Sequence, residues 1–274
     1  MTASYQSNYF TSVQKSGDHI IARSQLLSTG WEAVATLTAA VDTFRIAAAK
    51  WDISRSPGGT GNGGRDVPAL QGVEAYLGAG PALRAALEAD GDVAYALVAE
   101  CVKGVIQSET YLFRERGYGD AAALQAFWKK NAAGSCHLYS NLARSTRSWN
   151  EYVAGRTWND NLFSRLKTAT VTGCPAGAID VRGSFCDSFH ELMLHLVVTG
   201  GIVTACEGNF LRCPDTVCAE TIANLSSLVG RRVADLTKGF VGGCIGGPGG
   251  CSHMADLLGH MVRTVAENRP EAAK

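Results

Sequence analysis

Two stretches of the chain decide its fold: HIIARSQLLSTGWE at residues 19–32 and AIDVRGSFCDSFHE at residues 178–191. Each can be laid on the other without a gap, and the alignment pairs Arg23 with Arg182. Both stretches are rich in alternating apolar and polar residues, which is typical of β-strands with one buried face. A fold element that occurs twice indicates an internal duplication.

The similarity continues downstream of both stretches. Residues 44–57 match residues 201–214, and both segments close on Arg-x-Pro. Residues 98–105 match residues 258–265, with the same apolar positions at helical spacing. We therefore predict a first copy at residues 9–109, a helical joining segment at 110–157 and a second copy at 158–268, which together form a pseudo-dimer within one chain.

Each copy shows a run of strand-like segments followed by helix-like segments. Strands grouped before helices predict an α+β fold, an internally duplicated β-meander with helices packed on it. The predicted strands are 19–27, 33–41, 44–53, 178–185, 191–198 and 202–210; the predicted helices are 73–87, 93–108, 121–130, 137–144, 218–228 and 252–266.

Composition and charge exclude several classes of protein. The 274 residues carry 25 Lys+Arg and 25 Asp+Glu, so no net basic field is available to hold nucleic acid. No apolar run reaches the roughly 20 residues that a membrane span needs. We expect a soluble cytoplasmic protein with a small-molecule substrate, no nucleic acid and no membrane as partners, and we leave homodimer formation open.

Cysteine and histidine are distributed unequally between the two copies. Only Cys101 of the nine cysteines falls in the first copy, and Cys136 falls in the joining segment. In the alignment of the two copies, Cys218 is paired with Gly61 and His190 is paired with Trp31. A scaffold that carries thiols and imidazoles at these positions in only one copy predicts a working second copy and a degenerate first copy.

The thiols and imidazoles of the second copy form a candidate metal site. Cys218, Cys251, His253 and His190 come from separate elements and supply soft or borderline donors, which suit zinc or iron. The spacing matches no standard zinc finger. Two alternatives stay open: the cysteines are small buried hydrophobic residues, or one of them is a nucleophile without a metal.

Cys251 lies at the entrance of a helix behind a glycine-rich loop. Unpaired backbone N–H groups and the helix dipole at such a position predict a depressed pKa for the Cys251 thiol. A thiolate there suits either a metal ligand beside His253 or a nucleophile with a histidine as base. Asp187 and Glu207 are the nearest acids in sequence, and Glu207 is the candidate proton carrier. His195 and Asp187 are the candidate substrate-binding residues.

The second copy resembles an uncharacterised bacterial domain family, domain of unknown function 2889. The resemblance covers residues 179–268 and lies in five motifs: His190-x-x-Met193, Glu207, Arg212-x-Pro214-x-x-x-Cys218, Leu228-x-Gly230 and Gly250-Cys-Ser-His-Met254. It implies that His190, Cys218, Cys251 and His253 belong to one polar set. The first copy and the joining segment depart from the family pattern.

The residues together favour an enzyme that acts on a small organic molecule through a Cys/His centre in the second copy. In the metal-dependent form, zinc or iron polarises the substrate or activates water or oxygen. The alternatives are a cysteine-nucleophile enzyme without a metal, and a small-molecule or metal-binding accessory protein without turnover.

Overall fold

The computed structural model describes residues 4–156, 158, 160–174 and 177–268. Its main feature is a nine-strand antiparallel sheet, with several helices. In chain order the strands are β1 (Ser4–Ser16), β2 (His19–Ser28), β3 (Glu32–Ala40), β4 (Ile46–Arg55), β5 (Gly63–Asp66), β6 (Asn161–Gly173), β7 (Ala178–Asp187), β8 (Glu191–Thr199) and β9 (Ile202–Arg212). Their order across the sheet is β5-β4-β3-β2-β1-β6-β7-β8-β9.

The helices follow the strands in each half of the chain. Two of them are long, Gly91–Ser108 and Ser252–Glu267, and a 3-10 segment at Glu220–Leu228 continues the short helix Thr216–Ala219. No helix among the described residues is long and apolar enough to cross a membrane. The α-helices are α1 (Gly80–Leu87), α2 (Gly91–Ser108), α3 (Ala121–Asn131), α4 (His137–Ser140), α5 (Trp149–Val153), α6 (Thr216–Ala219), α7 (Lys238–Cys244) and α8 (Ser252–Glu267).

Each quoted stretch contains the first strand and the turn of a hairpin. In the β2–β3 pair His19 lies opposite Ala40, and in the β7–β8 pair Ala178 lies opposite Thr199. The next pairs, β3–β4 and β8–β9, each begin with a register shift, after Glu32 and after Glu191. The six predicted strands are therefore present, with ends that differ by no more than two residues.

Strands β1 and β6 were not predicted, because their inward-facing residues are not uniformly apolar. Along β1, buried Ser7 and Thr11 alternate with buried Tyr5, Tyr9 and Val13. Along β6, Arg165 and Lys167 are both buried, at 4% and 1% exposure. Their charges are paired, since Arg165 lies 3.6 Å from Glu100 and Lys167 lies 2.9 Å from Asp256. The burial of a cation costs less free energy when the cation is paired with a carboxylate than when it is unpaired.

The predicted helix at residues 73–87 is wrong in its first half. Helix α1 begins only at Gly80, with Pro81 in its first turn. Proline suits the first turn of a helix but disrupts its interior, so a helix that began at Val73 would have placed Pro81 against its own backbone. The glycine-rich residues 58–64 complete a 3-10 turn that begins at Pro57 and form the start of β5, which pairs with β4.

The described chain divides into two compact units. The N-terminal unit contains residues 8–124, 155–156, 158 and 160–166; the C-terminal unit contains residues 4–7, 125–154, 167–174 and 177–268. In the C-terminal unit α8 packs on β7, where Gly183 leaves room for Met261. A Cβ atom on Gly183 would lie 2.5 Å from the Met261 sulfur. This contact packs α8 against the sheet; His253 lies in the first turn of α8 and Cys251 immediately precedes the helix.

Candidate functional site

The turn between β7 and β8 holds an aspartate and a histidine in a fixed arrangement. Asp187 Oδ1 accepts the backbone N–H groups of Phe189, at 2.8 Å, and His190, at 2.7 Å. The same oxygen lies 3.2 Å from His190 Nδ1. With Nδ1–H donated to Asp187, the His190 Nε2 lone pair is directed away from the turn, as in the carboxylate–histidine pairs that orient metal ligands.

His253 lies against His190. The two imidazole rings are stacked, with centroids 3.8 Å apart and planes 27° apart, and the edge of His253 meets Phe185. The ligand-type atoms of Asp187, His190 and His253 all lie within 4.8 Å of one another. Histidine binds a metal through a neutral ring nitrogen, and two imidazoles beside a carboxylate are a common donor arrangement at metal sites.

Cys251, the N-cap residue of α8, lies beside this cluster. Its Sγ lies 4.0 Å from His253 Nδ1, and its backbone N–H donates to the Ile245 carbonyl at 2.7 Å. The depressed pKa predicted for Cys251 is wrong. Burial raises the pKa of this thiol to about 11, because desolvation outweighs the hydrogen bonds from the backbone N–H groups of Met254 and His253.

Cys213 and Cys218 form a second group, called here the thiol pair. Cys213 Sγ–H lies 3.1 Å from the Asp215 carbonyl, and the Cys218 thiol donates to the Cys213 sulfur. That hydrogen bond, helped by the charge of Arg147, lowers the pKa of Cys213 to about 7. It raises the pKa of Cys218, which is also buried. Cys251 interacts electrostatically with both members of the pair, so the three thiols share one neighbourhood.

Residues 136–152, which are part of the predicted joining segment, contact the loop that carries the thiol pair. Arg147 donates to the carbonyls of Cys213, at 2.9 Å, and Pro214. Asp215 Oδ2 accepts the backbone N–H of Thr146 at 2.7 Å and its hydroxyl at 2.9 Å. Near Cys136, the backbone N–H of His137 donates to the Gly250 carbonyl at 2.8 Å. The predicted joining segment therefore supplies contacts to the site within the C-terminal unit.

Arg212 holds the turn that carries His190. Its guanidinium donates to the carbonyls of Ser188, at 3.0 Å, and Asp187, at 2.7 Å. Sequence reasoning missed the roles of Arg147, Arg212 and Cys213. The signal for Arg212 and Cys213 was present in the Arg-Cys-Pro motif, but nothing in the sequence places Arg147 beside it.

His195 and Glu207 lie away from these groups. On β8 the buried residues are Leu192, Leu194 and Leu196, so His195 projects from the opposite face of the sheet. Its ring nitrogens contact Asp180, at 2.7 Å, and Glu207, at 3.0 Å. The hydrogen bond that His195 donates to Glu207, followed by the one that it donates to Asp180, raises the pKa of His195 against the effect of desolvation. The structure brings Asp187, His190 and His253 together and places Cys251 beside His253. Cys218 interacts with Cys213 and Cys251, and neither His195 nor Glu207 is among these groups.

We predict that Asp215→Asn lowers the free energy of unfolding by about 2 kcal/mol at pH 7, the scale of a hydrogen bond to a charged group. Burial opposes ionisation of Asp215, but its hydrogen bonds outweigh burial and hold its pKa far below the usual value. A carboxyl with a depressed pKa stabilises the fold above its unfolded pKa of about 3.9, and this contribution is lost as the pH falls toward the folded pKa.

The measurement is urea unfolding of both proteins between pH 7 and pH 2.5. The difference between them should be largest at neutral pH and should shrink below about pH 4. Asp235→Asn is the control, since Asp235 is exposed. A difference that is equal at all pH values would contradict the assignment of Asp215 as a charged anchor.

Comparisons with known proteins find one similarity, in the part of the chain that carries this site. No curated protein and no solved structure matches the chain significantly. A family model matches residues 176–267, about a third of the chain, and confirms the resemblance noted in the sequence. The matched segment, which contains His190, Cys218, Cys251 and His253, thus corresponds to the family described as "Protein of unknown function (DUF2889)".

Proposed function

We propose that the C-terminal unit is a metal-dependent enzyme that acts on a small organic molecule. Its ion, zinc or iron, is held by His190, His253, Cys251 and one member of the thiol pair. The observation that carries the proposal is the convergence of Asp187, His190 and His253, whose ligand-type atoms lie within 4.8 Å of one another. Imidazole and thiolate donors together suit zinc and iron rather than magnesium or calcium.

Asp187 orients a ligand in this proposal and is not itself one. Its Oδ1 already receives two backbone N–H groups and faces the ring N–H of His190. A carboxylate oxygen with these three partners is poorly placed to bind an ion as well. Asp187 instead selects the tautomer of His190 that presents Nε2 to the metal.

The large core of the C-terminal unit supports a chemical role for the metal. Buried apolar residues extend from Phe185 and Leu192 in the sheet to Met254, Leu257 and Met261 in α8. Small domains that depend on a structural zinc ion lack such a core and unfold without the metal. A unit with its own core does not need an ion to fold. When bound, the ion would polarise a substrate or lower the pKa of a bound water molecule.

The thiol pair favours a second candidate function, a cysteine-nucleophile enzyme without a metal. Cys213 is half-buried, its sulfur accepts a hydrogen bond from Cys218, and Arg147 lies nearby. Hydrogen bonds and a cation stabilise a thiolate. In this alternative Cys213, rather than Cys251, attacks the substrate. A metal-binding accessory protein without turnover is the third candidate.

We further propose that the two halves of the sheet arose by duplication and form a pseudo-dimer. The pairs His19–Ala40 and Ala178–Thr199 are separated by the same number of residues, and the later register shifts fall at aligned positions. Independent hairpins have no reason to share both a register and the positions of two irregularities. The copies predicted at residues 9–109 and 158–268 are the units of this duplication.

The test is metal analysis of the untagged full-length protein, followed by cobalt substitution. We expect about one equivalent of zinc or iron per chain, and a visible cobalt spectrum with thiolate charge-transfer bands. Added azide should change that spectrum, because a catalytic site keeps an exchangeable position whereas a structural site is closed. Absence of any metal would overturn the proposal, and a bound ion that does not respond to azide would favour the accessory protein.

A further inference from the structure

The thiol pair has a geometry that the metal centre does not require. Cys213 and Cys218 are hydrogen-bonded to each other, although a metal with three ligands already in place needs only one more thiolate. The Asp215 carbonyl lies 3.1 Å from Cys213 Sγ and accepts the Cys218 backbone N–H at 3.0 Å. One backbone carbonyl thus contacts both cysteines across a short loop and holds the Cys213 sulfur beside the backbone of Cys218.

The two thiols differ in accessibility. Cys218 is 9% exposed and lies in α6, while Cys213 is half-buried in the loop before that helix. The carbonyls of Cys213 and Pro214 are held by Arg147, so the loop presents Cys213 in a fixed orientation. A small disulfide from solvent can therefore reach Cys213 first, and Cys218 lies where a second, resolving thiol is needed.

We propose that Cys213 and Cys218 form a reversible disulfide by exchange with a small-molecule disulfide of the glutathione class. The Cys213 thiolate attacks one sulfur of the small disulfide, which forms a mixed disulfide and releases one small thiol. Cys218 then loses its proton to solvent and attacks the Cys213 sulfur, which releases the second small thiol. Two protein thiols and one small disulfide thus become one protein disulfide and two small thiols.

The disulfide would regulate the metal centre, and in this consequence the inference rests on the proposed function. A disulfide sulfur is not a thiolate, so oxidation removes the thiol-pair ligand from the metal. His190, His253 and Cys251 remain. We expect metal affinity to fall by roughly tenfold or more, which is the range for loss of a supporting group at a metal site.

The experiment treats the metal-free, reduced full-length protein with glutathione disulfide and maps the modified peptides by mass spectrometry. In the wild type, we expect the Cys213–Cys218 disulfide to form first. In Cys218→Ser, glutathione should stay attached to Cys213, and in Cys213→Ser, Cys218 should remain unmodified. Cys206→Ser is the control and should behave as the wild type. Circular dichroism of each variant establishes that it is folded.

A disulfide between Cys213 and Cys251, or glutathione spread equally over several cysteines in folded Cys218→Ser, would overturn the inference. The zinc-loaded protein is then oxidised in the presence of a chromophoric chelator. Release of zinc together with disulfide formation supports the regulatory step, and retention of zinc by the oxidised protein overturns it. If the pair oxidises as described but the protein never binds a metal, the proposed function fails while the disulfide pair stands.

Discussion

A variant with alanine at both His190 and His253 is expected to lose its metal while it keeps its fold. The two side chains supply the stacked nitrogen donors of the Asp187, His190 and His253 cluster. Loss of a single supporting group at a metal site costs about 10- to 100-fold in affinity, so loss of two ligands should cost more than about 100-fold. The measurement is competition for zinc against a chelator of known affinity.

The fold of this variant should survive because neither ring is central to the core. His190 is 8% exposed at a turn, and His253 is only partly buried. We expect a loss of about 1–3 kcal/mol in unfolding free energy for the metal-free protein. His195→Ala is the matched control, since His195 lies on the other face of the sheet. Unchanged zinc affinity in the double variant would contradict the proposed ligand set.

Gly250→Ala is expected to be the most destabilising single substitution near the site. An added Cβ atom would lie 2.0 Å from the Ile245 carbonyl oxygen and 2.6 Å from that of Gly246. Both obstacles are backbone atoms, so the loop itself would have to move. We expect a loss of about 3 kcal/mol in unfolding free energy, the upper range for overpacking, as measured by urea unfolding.

The same substitution should weaken metal binding. The Ile245 carbonyl that the new methyl group would displace accepts the backbone N–H of Cys251 at 2.7 Å, and this hydrogen bond sets the position of the thiol. Gly249→Ala is the control, because a Cβ atom there meets no other atom within 4 Å. Equal stability and equal zinc affinity for the two variants would show that the Gly250 loop does not position Cys251.

Strand prediction succeeded where inward-facing residues are apolar and failed where they are not. The β7–β8 hairpin alternates buried Leu192, Leu194 and Leu196 with more exposed residues, so its period is plain in the sequence. The alternation of apolar and polar residues is not visible in the sequence of β6, because the buried face of this strand includes Lys167. The partner of Lys167, Asp256, lies 89 positions away in the chain. An ion pair between residues so far apart in the sequence forms only in the folded chain, so it leaves no local sequence pattern from which the strand could be predicted.

The proposed site was visible in the sequence as residue types but not in its electrostatics. The excess of cysteine and histidine in one half of the chain drew attention to His190, Cys218, Cys251 and His253, of which the structure places His190 and His253 together beside Asp187. The pKa of Cys251 was misjudged because its position at the start of a helix is visible in the sequence, whereas its burial is not. The lowered pKa of Cys213 depends on the folded positions of Cys218 and Arg147.

X-ray absorption spectroscopy at the edge of the bound metal tests the central claim most directly. For the zinc-loaded protein, we predict a mixed shell with imidazole nitrogens at about 2.0 Å and one or two sulfurs at about 2.3 Å. Cys251→Ser should reduce the sulfur contribution, and the double histidine variant should remove the nitrogen contribution or the metal itself. A shell of oxygen ligands alone, or a protein that binds no metal stoichiometrically, would contradict the proposed Cys/His centre.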